Sequence, residues 1–381
     1  MAHDTPIPGP LSAATQSLIL TRFDAICPLS YAICPMSETR TFIAAEEAKT
    51  PFFVGIDLGG TNIKLGVVDD LGRPLSWLSI PTEFHRGPED AAQRTGAAVR
   101  EVVAKAGLKP QAVAAVGLGS AGPMDIPAGI ITTPINLKGW DNFPIRDRVS
   151  HHCGMPVTFE NDANAAAYGE FWVGVGRGYR SLILLTLGTG IGTGIIIDDT
   201  VVRGENSHGG ECGHIIIDFH ENARPCGCGR RGHLEGYASA TAVIKRTQEV
   251  LDAGRTSSLA QRMAGGEKLT PKLVAEEAEA GDQLSLEIVM ETARYIAIGA
   301  VSLMHTIGPD GVFLGGAMTF GGQQRPLGRR FLAAVQEEVR RLALPAFAAR
   351  TAIEFATLGG DAGYIGAAGV ARLDHIKRGQ K

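Results

Sequence analysis

The sequence has almost no charge imbalance. Lys and Arg number 36 against 40 Asp and Glu, a formal net charge of −4. A chain without a basic excess cannot neutralise a phosphate backbone, so nucleic-acid binding is not expected. Cysteine is scarce: six residues (Cys27, Cys34, Cys153, Cys212, Cys226 and Cys228) in 381 exclude a disulfide scaffold. The first residues lack a basic n-region and include Asp4, so no secretory signal is expected. A lipid-facing helix is missing too. The uncharged stretch SLILLTLGTGIGTGIII, Ser181 to Ile197, contains four glycines and three threonines and fits two buried strands around a glycine turn. No G-x-x-x-x-G-K-[ST] loop and no C-x-x-C pair occurs. These absences point to a soluble, cytoplasmic chain with no membrane and no nucleic-acid partner.

Apolar material is ample, at 44% hydrophobic against 20% charged residues, and the length predicts about two domains. Glycine is over-represented, with 49 copies against a usual share of about 7%. The glycines cluster at strand ends, where bare backbone can approach a ligand closely. Residues 1–50 show scattered prolines and no sustained period, and are expected to form an irregular extension; Met36 is a reasonable alternative start. From Phe52 the pattern sharpens. FFVGID, IKLGVV and LSWLSI read as an antiparallel meander with tight turns, followed by the helix AAQRTGAAVREVVAKAG, the strands AVAAVGLG and PVTFE, and the helix NDANAAAYGEFW. This order describes an α/β domain with a mixed sheet. The chain then repeats itself. VGIDLGGTNIKLGVVDD (54–70) aligns with ILLTLGTGIGTGIIIDD (183–199), matching Leu58 to Leu187, Gly59 to Gly188 and the two Asp-Asp turns. Duplication predicts two similar halves facing one cleft, although two hairpins can also match by chance.

Two glycine turns, DLGGT and GTGIGTG, can close backbone N–H groups on phosphate oxygens, although each alone also fits a plain hairpin. Asp57 precedes the first turn and Thr186 the second. An acid beside a phosphate cradle calls for a cation, and one or two carboxylates suit Mg²⁺. Asp162 follows the strand PVTFE and opens a helix. It reads as a helix cap or as a carboxylate at a strand's C-terminal end, able to accept a proton from a substrate hydroxyl. Its neighbour Asn161 both donates and accepts, which suits a sugar. The segment HGGECGHIIIDFHENARPCGCGRRGHLEG holds His214, Cys226, Cys228 and His233 among glycines. Thiolate and imidazole groups in this number suit structural zinc; a redox pair or free thiols are the competing readings. Cys212, two residues before His214, is left out of the set.

In combination and order, DLGGT, ENDANAAA, GTGIGTG, the G-E-x-G-H of residues 210–214 and C-x-C-G-x-x-G-x-x-E resemble the ROK family of sugar kinases and repressors, over about Phe52 to Leu373. The resemblance implies an actin/hexokinase-like fold with two ribonuclease-H-like lobes around a cleft: a small lobe over 51–158 completed by a C-terminal helix at 360–377, and a large lobe over 159–359 carrying zinc. It implies that Asp162 is the catalytic base acting on a sugar 6-hydroxyl. Asn136, Asn161, Glu211, His214 and Glu235 would bind the sugar. Gly59, Gly60, Thr61, Asn62, Lys64, Gly188, Thr189 and Gly190 would meet the phosphates of Mg-ATP, with Asp57 on Mg²⁺ through water and Gly315 and Gly316 beside adenosine. His214, Cys226, Cys228 and His233 would hold zinc, His233 standing where the family pattern has a third cysteine. A homodimer or higher homo-oligomer is implied by the same resemblance.

The expected activity is ATP-dependent phosphorylation of a hexose, favouring glucose, with an N-acetylhexosamine as the alternative substrate. A sugar-responsive repressor is disfavoured, because fewer than 52 non-basic residues precede the first lobe strand, against the roughly 60–80 of a DNA-binding module. A non-catalytic sugar binder is disfavoured by the retention of Asp162 and both glycine turns.

Overall fold

A computed structural model of the chain describes residues 40–133 and 139–379. The extension expected over residues 1–50 therefore lies outside the described residues up to residue 39, and so does Asn136. The compact body begins at Phe42.

Its first half runs β1 (Phe52–Leu58), β2 (Asn62–Val68), β3 (Pro74–Pro81), α1 (Pro88–Lys105), β4 (Val113–Ser120), the short pair β5 (Met124–Asp125) and β6 (Ile130–Ile131), α2 (Ile145–Cys153), β7 (Val157–Asn161) and α3 (Asp162–Trp172). The second half runs β8 (Ser181–Leu187), β9 (Ile191–Ile197), β10 (Thr200–Val201), α4 (Glu235–Ala238), α5 (Ala240–Asp252), α6 (Ser258–Ala264), α7 (Pro271–Glu279), α8 (Gln283–Ile307), β11 (Gly311–Gly315), α9 (Pro326–Leu342), α10 (Pro345–Ala348), β12 (Ala352–Phe355) and α11 (Ala362–Gly379). Ser181 to Ile197 forms two strands around a glycine turn, as its composition indicates. No described helix is long and apolar enough to cross a membrane.

Two five-stranded sheets result, ordered β3-β2-β1-β4-β7 and β10-β9-β8-β11-β12. Each has one central strand that is antiparallel to the next strand in sequence and parallel to the strand on its other side. The repeat visible in the hairpins thus extends to the order of the whole sheet. The central strands β1 and β8 are almost continuously apolar, which suits strands covered on both faces. Their side chains alternate between two cores. Phe52, Val54, Ile56 and Leu58 pack with α1 and α2, while Phe53 turns the other way, onto Tyr364 and Ala368 of α11. In the second sheet Ile183, Leu185 and Leu187 face the core shared with α8 and α9, and Leu182 and Leu184 face α3. The layers are therefore outer helices, first sheet, the pair α11 and α3, second sheet, outer helices.

The central pair sits unusually close. A Cβ on Gly366 of α11 would lie 1.6 Å from the carbonyl oxygen of Ala165 in α3, and one on Gly55 of β1 would lie 1.7 Å from the Tyr364 carbonyl. Only glycine allows backbone to meet backbone at this depth. A buried carboxylate secures the same junction. Glu170, in α3, accepts from the Leu358 N–H at 2.7 Å, the Thr357 hydroxyl at 3.1 Å and the Val175 N–H at 3.0 Å. The segment entering α11 is thereby tied to the end of α3.

Adding a methyl group at Gly366 should force these helices apart. Gly366→Ala is expected to lower unfolding free energy by about 1–3 kcal/mol or more in urea titrations. Gly379→Ala, with nothing within 4 Å of its new Cβ, should stay within about 0.5 kcal/mol of the parent.

Candidate active site

The motif residues collect at the carboxyl ends of strands, where open α/β sheets bind ligands. Asp57 lies near the end of β1 and its glycine turn follows; Asp162 follows β7; Gly188 follows β8; Gly316 follows β11. A cleft of about 560 Å³ opens over these ends, within the usual range for a small-molecule site. Among its lining residues are Asn161, Asp162, Gly188, Thr189, Gly190, Glu211, His214, Cys228, Glu235 and Gly316. Asp57, Gly59, Gly60, Thr61, Asn62 and Lys64 lie on the β1–β2 hairpin and Gly315 ends β11; none of these is in that lining.

The start of α3 separates two roles that the sequence left merged. The cap is Asn161, whose Oδ1 accepts from the N–H groups of Ala163 at 2.9 Å and Asn164 at 3.1 Å. Its Nδ2 is the atom left to address a ligand. Asp162 is the first helical residue and takes the Ala163 N–H on Oδ1 at 2.8 Å. Asp162 meets the cleft yet is deeply set in protein. Burial pushes its carboxyl up to about 6, the nearby charge of Asp57 adds to the rise, the Ala163 N–H opposes it, and Glu211 contributes a smaller upward push. Asp57 is also raised, by burial first, with the Lys64 ammonium opposing. Lys64 stands across the hairpin from Asp57 and donates to the Gly360 carbonyl at 3.2 Å. Two buried, raised carboxyls, one of them pushed up by the other's charge, make a site that favours a cation, and the donor set fits Mg²⁺.

Both glycine turns are closed by their own backbone. Gly59 N–H donates to the Asn62 carbonyl and Gly188 N–H to the Gly190 carbonyl, each at 3.0 Å. Among the described residues, the N–H groups of Gly60 and Thr189 take no acceptor, so both remain available to an anion. The second turn leans on Glu235. Its Oε2 accepts from the Ile191 N–H at 3.0 Å, and a Cβ on Gly190 would fall 2.3 Å from that oxygen. Its Oε1 accepts from the Cys226 thiol at 3.3 Å. One carboxylate thus joins the glycine turn to the cysteine-rich knuckle.

In the knuckle the candidate ligand atoms of His214, Cys226, Cys228 and His233 all lie within 4.8 Å of one another. Cys226 Sγ is 3.7 Å from His214 Nδ1, and Cys228 Sγ is 3.3 Å from His233 Nδ1. Those separations fit a tetrahedron with metal–sulfur bonds of about 2.3 Å and metal–nitrogen bonds of about 2.0 Å. Burial pushes the Cys226 thiol up to about 12, a setting in which a bound cation is what yields a thiolate. His233 thus lies with the other three candidate ligands. Cys212 stays outside it, a buried thiol pushed up to about 11.

Several residues at the cleft escaped the motif reading. Asn164, Thr193, Ser207 and His208 line it. Asn164 had a legible signal, since it lies one helical turn past Asn161 on the same face. Ser207 and His208 belong to a loop whose position depends on contacts distant in sequence.

A sequence profile described as the ROK family matches residues 53–373. The glucokinase of Halalkalibacterium halodurans is 32% identical over 315 residues, covering 83% of this chain and 93% of that protein. Among solved structures, a ROK hexokinase from Thermus thermophilus superposes with a TM-score of 0.73 at 34% identity, covering 86% of this chain and 99% of the other. A ROK family glucokinase from Streptomyces griseus, in complex with glucose and AMPPNP, gives a TM-score of 0.68 at 33% identity, covering 84% and 99%. These neighbours carry the actin/hexokinase-like fold expected from the motifs. With a profile match running through nearly all of the described body, the chain belongs to the ROK family.

Proposed function

We propose that this chain is a hexose kinase, a glucokinase that transfers the γ-phosphoryl group of ATP to the 6-hydroxyl of glucose. The observation that carries this reading is the Asp162 carboxyl, held near a pKa of about 6 in the cleft that the second glycine turn overhangs. It is ionised at neutral pH and close enough to neutrality to accept a hydroxyl proton. The relatives named as glucokinases, and the solved glucokinase holding glucose and AMPPNP in the same fold, support both substrates.

In this reading Asp162 removes the proton from the sugar hydroxyl as the oxygen attacks phosphorus. Asn161, Glu211, His214 and Glu235 orient the sugar, so that one hydroxyl faces the base. Bare N–H groups of the glycine turns, among them Gly60 and Thr189, receive phosphate oxygens, and Gly316 flanks the nucleotide. Asp57 and Lys64 set the charge at the hairpin of the first sheet. When bound, Mg²⁺ neutralises charge between the phosphates and the carboxylates. Zinc held by His214, Cys226, Cys228 and His233 fixes the knuckle and, with it, Glu235. With four protein ligands that metal has no open position for water, so its role is structural.

Three measurements test the proposal. Replacing Asp162 by Asn should leave glucose binding by calorimetry within a few-fold and cut kcat by about 10²–10⁴ in an ADP-release assay; near-parental turnover would remove the base assignment. Because the base works only when deprotonated, kcat/KM for glucose should fall as pH drops through about 6, with unit slope. A flat profile between pH 5 and 7.5 contradicts that role. Cys226→Ser should lower bound zinc in elemental analysis together with melting temperature and activity; a parent protein that contains no zinc overturns the knuckle assignment.

A further inference from the structure

Glu160 is a buried charge that the reaction does not use. It sits on β7, directly before Asn161 and Asp162, and is 1% exposed. Its Oε1 accepts from the Asn161 N–H at 2.9 Å and the Asn164 side-chain amide at 3.0 Å. Its Oε2 accepts from Nε of Arg203 at 2.6 Å. A buried carboxylate without that cation would be costly, so the pair is strongly held.

Arg203 belongs to the other half of the cleft. It follows β10 and opens the loop that carries Ser207, His208, Gly209, Gly210 and Glu211 along the cleft. The Arg203 carbonyl accepts from the Gly209 N–H at 2.7 Å, which closes 203–209 into a unit. Beyond it, a Cβ on Gly213 would lie 2.3 Å from the Ile191 carbonyl, so the far end of the loop rests on β9. Glu160 is therefore the attachment between the strand that presents Asp162 and the near end of the loop that presents Glu211. A second observation marks the same junction. Asn164, 2% exposed, has its Oδ1 buried without a partner, and that oxygen faces Gly210: a Cβ there would be 3.9 Å away. The contact between the two walls has one acceptor to spare, on the side where the loop would settle.

We propose that Glu160 and Arg203 are a positioning pair that sets the spacing between Asp162 and Glu211, and so governs affinity for the hexose rather than for the nucleotide. This rests on the kinase reading for its kinetic consequence, and on geometry alone for its structural one. Neither residue touches the reacting atoms; both act through the residues they hold.

The test uses the full-length protein. In Arg203→Ala, KM for glucose should rise about tenfold while KM for Mg-ATP stays within about twofold. Amides of residues 204–211 in the free protein should exchange hydrogen at least about fivefold faster. Arg203→Lys, which keeps the cation, should recover at least half of both effects on a logarithmic scale. Should the alanine variant fail to fold, the lysine variant decides, with about a threefold rise confined to the KM for glucose. Equal rises in both KM values, or unchanged kinetics with unchanged exchange, overturn the pair's role. If the parent protein phosphorylates no hexose, the kinase reading fails, and exchange at 204–211 then decides the positioning role by itself: faster in Arg203→Ala upholds it, and unchanged refutes it.

Discussion

The contact of α3 with α11 at backbone depth is the constraint on which the rest of this protein depends. Two sheets of identical strand order must bury their inner faces, and the two helices between them fill that space. Gly366 against Ala165 and Gly55 against Tyr364 set the thickness of the layer. That thickness decides where the carboxyl ends of β1, β7, β8 and β11 stand relative to one another. α3 has a further duty, since its first turn is the active-site edge: the same helix that spaces the sheets presents Asp162. A change in packing at Gly366 is therefore also a change in the position of the base.

Electrostatics then make the cleft specific. Burial raises the carboxyls of both Asp57 and Asp162, and the charges of Asp57 and Glu211 push Asp162 up further. Such a site is poor at holding anions unless cations come with them, and a nucleotide carrying its own divalent ion satisfies that condition. The knuckle contributes at a distance. Glu235, two residues after His233, brings the knuckle's position to the glycine turn, and the turn's shape depends on a carboxylate that leaves no room for a side chain at Gly190.

Local chemistry was the legible part of the sequence. Glycine turns at strand ends, an acid opening a helix, and thiol and imidazole groups spaced by glycines are short patterns whose meaning does not depend on remote partners. They located Asp162, Gly188 to Gly190, Glu211, Glu235 and the four knuckle residues, which the fold gathers around or beside one cleft. The repeat in two hairpins extends to two sheets, a match in which all five strands of each follow the same order and which no hairpin by itself reveals. What stayed hidden is long-range. Glu160 and Arg203 lie 43 positions apart, and neither has a neighbour that announces the other. Nearer in sequence, Asn161 spends its oxygen on helix capping and keeps Nδ2 for a ligand. Glu170 gave no sign of gathering the chain 187 and 188 positions downstream.

The place of α11 also bears on how the protein is made. Phe53, Val68 and Ala115 belong to elements synthesised early, yet they are covered by Tyr364, Ile365 and Ala368, which come after β12. During translation the first sheet must wait, with one greasy side bare, for a helix that leaves the ribosome after every other element described. Nascent chains in that interval are the ones exposed to self-association and to chaperone capture.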